Sequence, residues 1–213
     1  MRAHVLFFVG VAIAASYLSA PVLDPPQWIA PIWKAAGIVL LGVYALRQGA
    51  RLAAAGLFAS AIGDIVLALE PPLWIAGMAA FGVAHVFYTL AFLGVLRTAG
   101  FTTRNVVLAA AAFVGSIALF VWLRPGMGEY LAPGAGYHAI ITAMMVLALL
   151  SRAHIAARAG AVLFVLSDFV IALYLYKNYG PFGPLNWLLY ASAQALIAWG
   201  LTTSGPKKTD RRA

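Results

Sequence analysis

Eight apolar stretches, each close to the length of a membrane-spanning helix, follow one another along almost the whole chain. They cover residues 4–23, 30–47, 52–70, 73–96, 105–123, 135–151, 157–177 and 184–203. A helix needs about 20 apolar residues to cross the hydrocarbon core of a bilayer. Only helices and closed barrels satisfy their backbone hydrogen bonds there. We therefore predict an all-α integral membrane protein with eight transmembrane helices, which form one polytopic domain over residues 1–203.

The composition supports a membrane protein and excludes several kinds of site. Hydrophobic residues make up 64% of the 213 residues and charged residues 9%. A soluble domain is nearer half apolar and a quarter charged. The chain has no cysteine, which excludes disulfides, thiolate metal sites and a cysteine nucleophile.

Most of the basic residues lie in alternate breaks between the apolar stretches, and therefore on one side of the predicted membrane. Eleven of the fourteen are Arg2, Arg47, Arg51, Arg97, Arg104, Arg152, Arg158, Lys207, Lys208, Arg211 and Arg212. Cytoplasmic loops carry an excess of lysine and arginine, so we expect both termini in the cytoplasm. The basic tail at 204–213 is then an orientation signal that contacts membrane lipid, and no nucleic-acid partner is expected. The expected location is a bacterial inner membrane.

A weak internal repeat relates the third and seventh segments. The sequence GDIVLAL at 63–69 resembles SDFVIAL at 167–173, and both segments follow arginines of the predicted cytoplasmic side. The third and seventh of eight segments would be equivalent if the chain consisted of two parallel halves of four helices each. Parallel repeats of this kind occur in membrane transporters.

Each copy of this repeat contains an aspartate at membrane depth. Asp64 lies six residues before Glu70, or roughly 9 Å below the end of its segment. Asp168 lies nine residues before Lys177, or roughly 13 Å by the same rise per residue. A carboxylate at the centre of a membrane helix costs roughly 2.5–3.5 kcal/mol, and such residues usually face the bundle interior and serve function. We predict that both aspartates are functional.

Other polar side chains lie in the same half of the membrane and are candidate substrate-binding residues. They are Lys34, His85, Tyr88, Tyr137, Tyr190 and Gln194. His138, next to Tyr137, is interpreted as a neighbour of lipid headgroups. A metal site is not expected, because His4 and His154 lie at the cytoplasmic edge and only His85 is deep.

Two facing aspartates in an apolar bundle would differ in protonation state, with one neutral and one ionised. That pairing of acid and base hydrolyses acid-labile C–O bonds in glycosidases and peptide bonds in aspartic proteases. Buried carboxylates also relay protons in transporters. From the residues alone, all three chemistries stay open.

Four sequence blocks, taken in order, resemble one known family. They are LFASAIGDIVLAL (57–69), AAFGVAHVFYTLAF (79–92), GAVLFVLSDFVIAL (160–173) and YASAQALIAWG (190–200). Their order and spacing are similar to those of the YhhN family of lysoplasmalogenases, across nearly the whole chain. One departure concerns Lys34, which is followed by Ala35 where the family tends to have proline.

The resemblance implies an ether hydrolase that cleaves the vinyl ether of lysoplasmalogens. The products would be a fatty aldehyde and glycerophosphoethanolamine or glycerophosphocholine, with no cofactor. It implies that Asp64 and Asp168 are the catalytic pair and that the partner is a lysophospholipid. Lys34 would contact the phosphate, and the remaining polar candidates would position the ether oxygen and water.

Two alternatives belong to other functional classes. An intramembrane aspartyl protease would use the same carboxylates, although AIGD at 61–64 lacks one glycine of the G-x-G-D motif and Ser167 replaces the tyrosine expected before Asp168. A proton-coupled lipid or small-molecule transporter would use them as proton relays, and the parallel repeat would suit it.

Overall fold

Helices are the only regular secondary structure in residues 2–180 and 183–204, the part of the chain that the computed structural model describes. The helices are α1 (Arg2–Ser16), α2 (Ala20–Leu23), α3 (Ala30–Arg47), α4 (Arg51–Leu67), α5 (Trp74–Ala99), α6 (Thr103–Leu123), α7 (Leu131–Leu150), α8 (Ile155–Lys177) and α9 (Gly183–Thr203). Short 3₁₀ turns join α1 to α2 and α6 to α7. The all-α prediction is confirmed. Residues 205–213 of the predicted basic tail lie outside the described residues.

The predicted segments correspond to these helices, with three corrections to their bounds. The first segment is interrupted by a 3₁₀ turn at Tyr17–Ser19. The third predicted segment corresponds to α4, which ends at Leu67. Asp64 therefore lies three residues, or roughly 5 Å, from the end of its helix, and not the roughly 9 Å expected from sequence. The sixth, α7, begins at Leu131, because Pro133 is tolerated in a first turn, where its missing N–H needs no partner.

Six segments of the described chain are long and apolar enough to cross a membrane, which makes the chain an integral membrane protein. They are His4–Leu23, Ala30–Arg47, Trp74–Ala99, Thr103–Gly126, Gly128–Leu150 and Ile155–Lys177. Of the other two long helices, α4 has the largest set of buried residues, and α9 has as many buried residues as α3. The helices α4 and α9 pack against each other and against further helices.

Six helices form a closed ring in the order α3, α4, α5, α7, α8, α9 and back to α3. Helix α1 packs outside this ring against α3 and α9, and α6 packs outside it against α7 and α8. Large side chains such as Tyr44, Leu57, Phe92 and Phe164 are fully buried. The polar residues on the inner faces of the ring are therefore held in a tightly packed surrounding.

The contact between α8 and α9 is close because glycines occupy it. A Cβ atom at Gly200 would lie 2.2 Å from the backbone nitrogen of Ala157, and one at Gly160 would lie 2.7 Å from the carbonyl oxygen of Ala193. Small residues let membrane helices approach at backbone distance. This contact fixes α8, which carries Asp168, against α9, which carries Tyr190.

Candidate active site

Asp64 is the most deeply buried carboxylate of the described chain, and it has a phenol and an ammonium group as neighbours. Its side chain is 1% exposed. The hydroxyl of Tyr190 donates a hydrogen bond of 2.6 Å to Asp64 Oδ2. The Nζ atom of Lys34 lies 3.8 Å from Asp64 Oδ1 and 5.7 Å from the centre of the Trp187 ring. Lys34 is thus turned into the bundle and forms an ion pair with Asp64.

A layer of buried polar groups lies one helical turn below this pair. Ser60 precedes Asp64 by four residues on α4, and Gln194 follows Tyr190 by four on α9. The hydroxyl of Tyr88 donates to Gln194 Oε1 over 2.7 Å. Three buried atoms here, Asp64 Oδ1, Ser60 Oγ and Gln194 Nε2, have no hydrogen-bond partner within the described residues. Such atoms in native proteins are commonly paired with ordered water.

Asp168 is held by a different set of neighbours. Its side chain is 20% exposed, and its Oδ2 accepts a hydrogen bond from the hydroxyl of Tyr137. The Nε2 atom of His85 lies 3.0 Å from the same hydroxyl and 3.9 Å from Asp168 Oδ2. Because the single phenol proton goes to Asp168, Nε2–H of His85 must donate to the phenol oxygen. The three side chains form a hydrogen-bonded relay, and Met144 Sδ lies 3.3 Å from the other ring nitrogen of His85.

Backbone contacts keep the Asp168 segment in place. The hydroxyl of Ser167 donates to the carbonyl of Phe164 over 2.7 Å, as serines within helices commonly do. The side-chain amide of Asn186 on α9 donates to the carbonyl of Ser167 over 2.8 Å. This role of Asn186 could not be predicted from sequence, because the bond depends on how α8 and α9 are rotated against each other.

Both carboxylates line one cavity of about 150 Å³. It lies at the end of the bundle where α3, α5, α7 and α9 begin and where α4, α6 and α8 end. Phe164 packs between the two polar groups, with its ring 4.6 Å from that of His85 and 5.3 Å from that of Tyr190. Among the described side chains the two carboxylates do not bond to each other. They share a cavity, and each has its own partners.

The predicted binding residues divide between the cavity wall and the layer behind it. Lys34, Tyr137 and Tyr190 line the cavity together with the two aspartates. His85, Tyr88 and Gln194 are fully buried behind this wall. His85 bonds to Tyr137 of the cavity wall, whereas Tyr88 and Gln194 bond to each other. No group of three histidine, aspartate or glutamate side chains suited to a metal ion occurs in residues 2–180 and 183–204.

His138, interpreted from sequence as a neighbour of lipid headgroups, faces α6 and the cavity in the structure. Its Nε2 lies 3.1 Å from the hydroxyl of Ser116 on α6, and the Phe120 ring stacks on it at 4.9 Å. Ser116 in turn bonds to Thr142 over 2.7 Å. His138 and Ser116 both line the cavity. The spacing of His138 and Thr142, one turn apart on α7, was the signal that could have shown a polar face.

The comparison with known protein families matches a part of the chain that contains the residues of this site. A family model described as the YhhN family matches residues 29–201. The chain belongs to the YhhN family. The matched range contains both aspartates and all six predicted binding residues, and the resemblance found in the sequence is confirmed.

Several relatives named lysoplasmalogenase are similar to the chain over most of their length. The chain is 33% identical over 181 residues to the lysoplasmalogenase of Mycobacterium bovis, and the aligned region covers 80% of this chain and 69% of the relative. It is 31% identical over 193 residues to lysoplasmalogenase TMEM86B of Mus musculus, covering 87% and 81%. For the Homo sapiens TMEM86B the values are 30% over 205 residues, 88% and 81%. No solved structure matches the chain.

Proposed function

We propose that this YhhN protein is a lysoplasmalogenase, a hydrolase that cleaves the vinyl ether bond of lysoplasmalogens. The products are a fatty aldehyde and glycerophosphoethanolamine or glycerophosphocholine. Relatives named lysoplasmalogenase support the reaction. The observation that carries the proposal is the pair of carboxylates, Asp64 and Asp168, on one cavity between membrane helices. The alternative reaction classes lack such support from the relatives.

The proposed chemistry needs one proton donor and one proton acceptor. A protonated Asp168 gives its proton to the β-carbon of the vinyl ether, the alkene carbon that is not bonded to oxygen. This protonation forms an oxocarbenium ion. Water then attacks the cationic carbon, and ionised Asp64 takes a proton from that water. The resulting hemiacetal collapses to the aldehyde and the free glycerol hydroxyl, with its hydroxyl proton passing to the leaving oxygen. Transfer of a proton from Asp64 to Asp168 across the cavity restores the enzyme.

The surroundings of the two carboxylates support this division of roles. Lys34 stabilises a negative charge on Asp64, and the same charge would stabilise the nearby oxocarbenium ion. Asp168 is more open to the cavity and is backed by the Tyr137–His85 relay, so it is better placed to meet the substrate carbon. The unpaired atoms of Ser60 and Gln194 provide donors for the attacking water beside Asp64.

The headgroup of the substrate would bind near Lys34. Its side chain is 20% exposed, and an ammonium group has three donors, so it can contact a phosphate as well as Asp64. His138 and Ser116 offer further polar atoms on the opposite, α6–α7 wall of the cavity. General acid–base chemistry of this kind uses no metal or organic cofactor.

We also propose that all eight long helices cross a bacterial inner membrane, with both termini in the cytoplasm and the cavity in the outer half. The halves would be α1–α5 and α6–α9, so that α3 corresponds to α7, α4 to α8 and α5 to α9. Exchanging these partners converts the ring of helices into itself, which supports the parallel repeat. Asp64 and Asp168 then occupy equivalent positions on α4 and α8.

The test is fatty-aldehyde release from a lysoplasmalogen by the purified protein in detergent. General acid–base groups contribute about 10²- to 10⁴-fold, so Asp64→Asn and Asp168→Asn should each reduce turnover by about 100-fold or more. Asp24→Asn is the matched control, because Asp24 is exposed in a turn with φ 44°, which asparagine also adopts. Full activity of either buried variant would refute the mechanism. Absence of aldehyde from a folded wild type would refute the function and favour a proton-relay role.

A further inference from the structure

A second hollow lies on the outside of the bundle, between α5 and α7. It has a volume of about 440 Å³. Its walls include Met78, Gly82 and Val86 of α5 and Pro133, Gly136 and Ile140 of α7. Apart from the tyrosine at position 137, all of its lining residues are apolar or glycine. We call this hollow the α5–α7 groove.

The groove and the catalytic cavity share two residues, so they lie on opposite sides of one thin wall. Met78 and Tyr137 line both spaces. The hydroxyl of Tyr137 bonds to Asp168 on the cavity side. A Cβ atom at Gly82 would lie 4.0 Å from the Tyr137 ring, and one at Gly136 would meet nothing within 4 Å. The absence of side chains at these glycines keeps the groove open beside Tyr137.

The size of the cavity requires an exit for a hydrocarbon chain. A cavity of about 150 Å³ holds a molecule as large as benzene. Sites for drug-sized ligands occupy about 300–1,000 Å³. A single-chain lipid with its headgroup is too large for this cavity, so its chain must leave it. The bond to be cut joins the polar glycerol part to the apolar chain. The cavity holds the two carboxylates and their polar neighbours within an otherwise mostly apolar lining, and it meets the apolar groove at Tyr137 and Met78.

We propose that the α5–α7 groove binds the alkenyl chain of the lysolipid substrate, which passes Tyr137 and Met78 while the ether bond lies beside Asp168. This inference rests on the proposed function. The chain enters from the lipid between α5 and α7, and the groove selects molecules with one long chain. Tyr137 then both positions Asp168 and forms part of the wall along which the chain runs.

The first experiment fills the groove and measures dependence on chain length. In Gly136→Leu the new side chain occupies the groove, whereas in Gly94→Leu the same change is made on α5 at an exposed position with nothing within 4 Å of its Cβ. A methylene-sized misfit in an apolar pocket costs about tenfold or more. We expect Gly136→Leu to lower the ratio of kcat/KM for a long-chain over a short-chain lysoplasmalogen by about tenfold. Gly94→Leu should leave that ratio at the wild-type value. Equal ratios in both variants would overturn the proposal.

The second experiment needs no turnover. A lysolipid with a photoreactive group on its chain is irradiated with the wild-type protein, and the labelled peptides are mapped. Labels should fall within 75–87 and 133–140, and they should be lost in Gly136→Leu but kept in Gly94→Leu. An active wild type that is labelled only elsewhere overturns the groove. An inactive wild type that is labelled in the groove refutes the proposed function and leaves lipid binding by the groove supported.

Discussion

The hydroxyl of Tyr137 should matter for turnover more than any other single atom outside the two carboxylates. It donates to Asp168 and accepts from His85, and Tyr137→Phe removes both hydrogen bonds while retaining the ring. A hydrogen bond to a charged group contributes about 1.5–3 kcal/mol. At 1.36 kcal/mol per tenfold, its loss in the transition state lowers kcat roughly 10- to 100-fold. We expect KM to change little, because the ring still forms the wall of the cavity and of the α5–α7 groove.

The assay is steady-state aldehyde release over a range of substrate concentrations, so that kcat and KM are separated. Tyr130→Phe is the matched control. Tyr130 also lines the cavity, but its hydroxyl has no hydrogen bond within the described residues. The control should keep kcat within about twofold of the wild type, since surface or unpaired groups usually contribute little.

Two results would refute this reasoning about the relay. If Tyr137→Phe retained the wild-type kcat, the hydrogen bond to Asp168 would have no part in the rate-limiting step. If Tyr137→Phe and Tyr130→Phe lost kcat equally, the effect would belong to the cavity wall in general and not to the relay.

Two other changes test the surroundings of the site. Lys34→Met should lower kcat by about tenfold or more, because an ionised Asp64 without its partner is costly when buried and the mechanism needs that ionised form. Lys34→Arg restores a positive charge and should recover part of the loss in the same aldehyde assay. Gly200→Ala should lower the thermal midpoint in detergent, because its Cβ would lie 2.2 Å from the backbone of Ala157 and overpacking costs about 1–3 kcal/mol. Gly115→Ala, with nothing within 4 Å, should not. Unchanged kcat in the first variant, or an unchanged midpoint in the second, would contradict these expectations.

The number and order of the long helices were predictable from sequence because apolar length is a strong signal in membrane proteins. The errors fall at the ends of helices. The predicted sixth segment begins at residue 135, whereas α7 begins at Leu131 and includes Pro133 in its first turn. In α4 the apolar residues Ala68 and Leu69 continue past the end of the helix at Leu67. Apolar character extends beyond the backbone hydrogen bonds, so composition alone places such ends poorly.

The inward orientation of the two aspartates was predictable from sequence, but their hydrogen-bond partners were not. A buried carboxylate must face the interior, which follows from the cost of exposing it to lipid. The partner of Asp64 on α9, Tyr190, is 126 residues away in the chain. Which side chain meets it depends on the rotation of α9, which close contacts at Gly160 and Gly200 determine. Lys34 was therefore expected at a phosphate, and its ion pair with Asp64 could not be inferred.

Helix α4 is too short to be suited to cross a membrane alone, because it has 17 residues where a span needs about 20. It also carries Asp64, and a helix with a charged residue at membrane depth gains from neighbours that supply partners and exclude lipid. Helix α4 has α3, α5 and α9 as such neighbours. Asp64 can therefore be kept at full burial beside Lys34 and Tyr190, while Asp168 on α8 stays partly open to the cavity. The different positions of the two helices thus give two chemically equal carboxylates different surroundings, as the proposed acid–base catalysis by a pair requires.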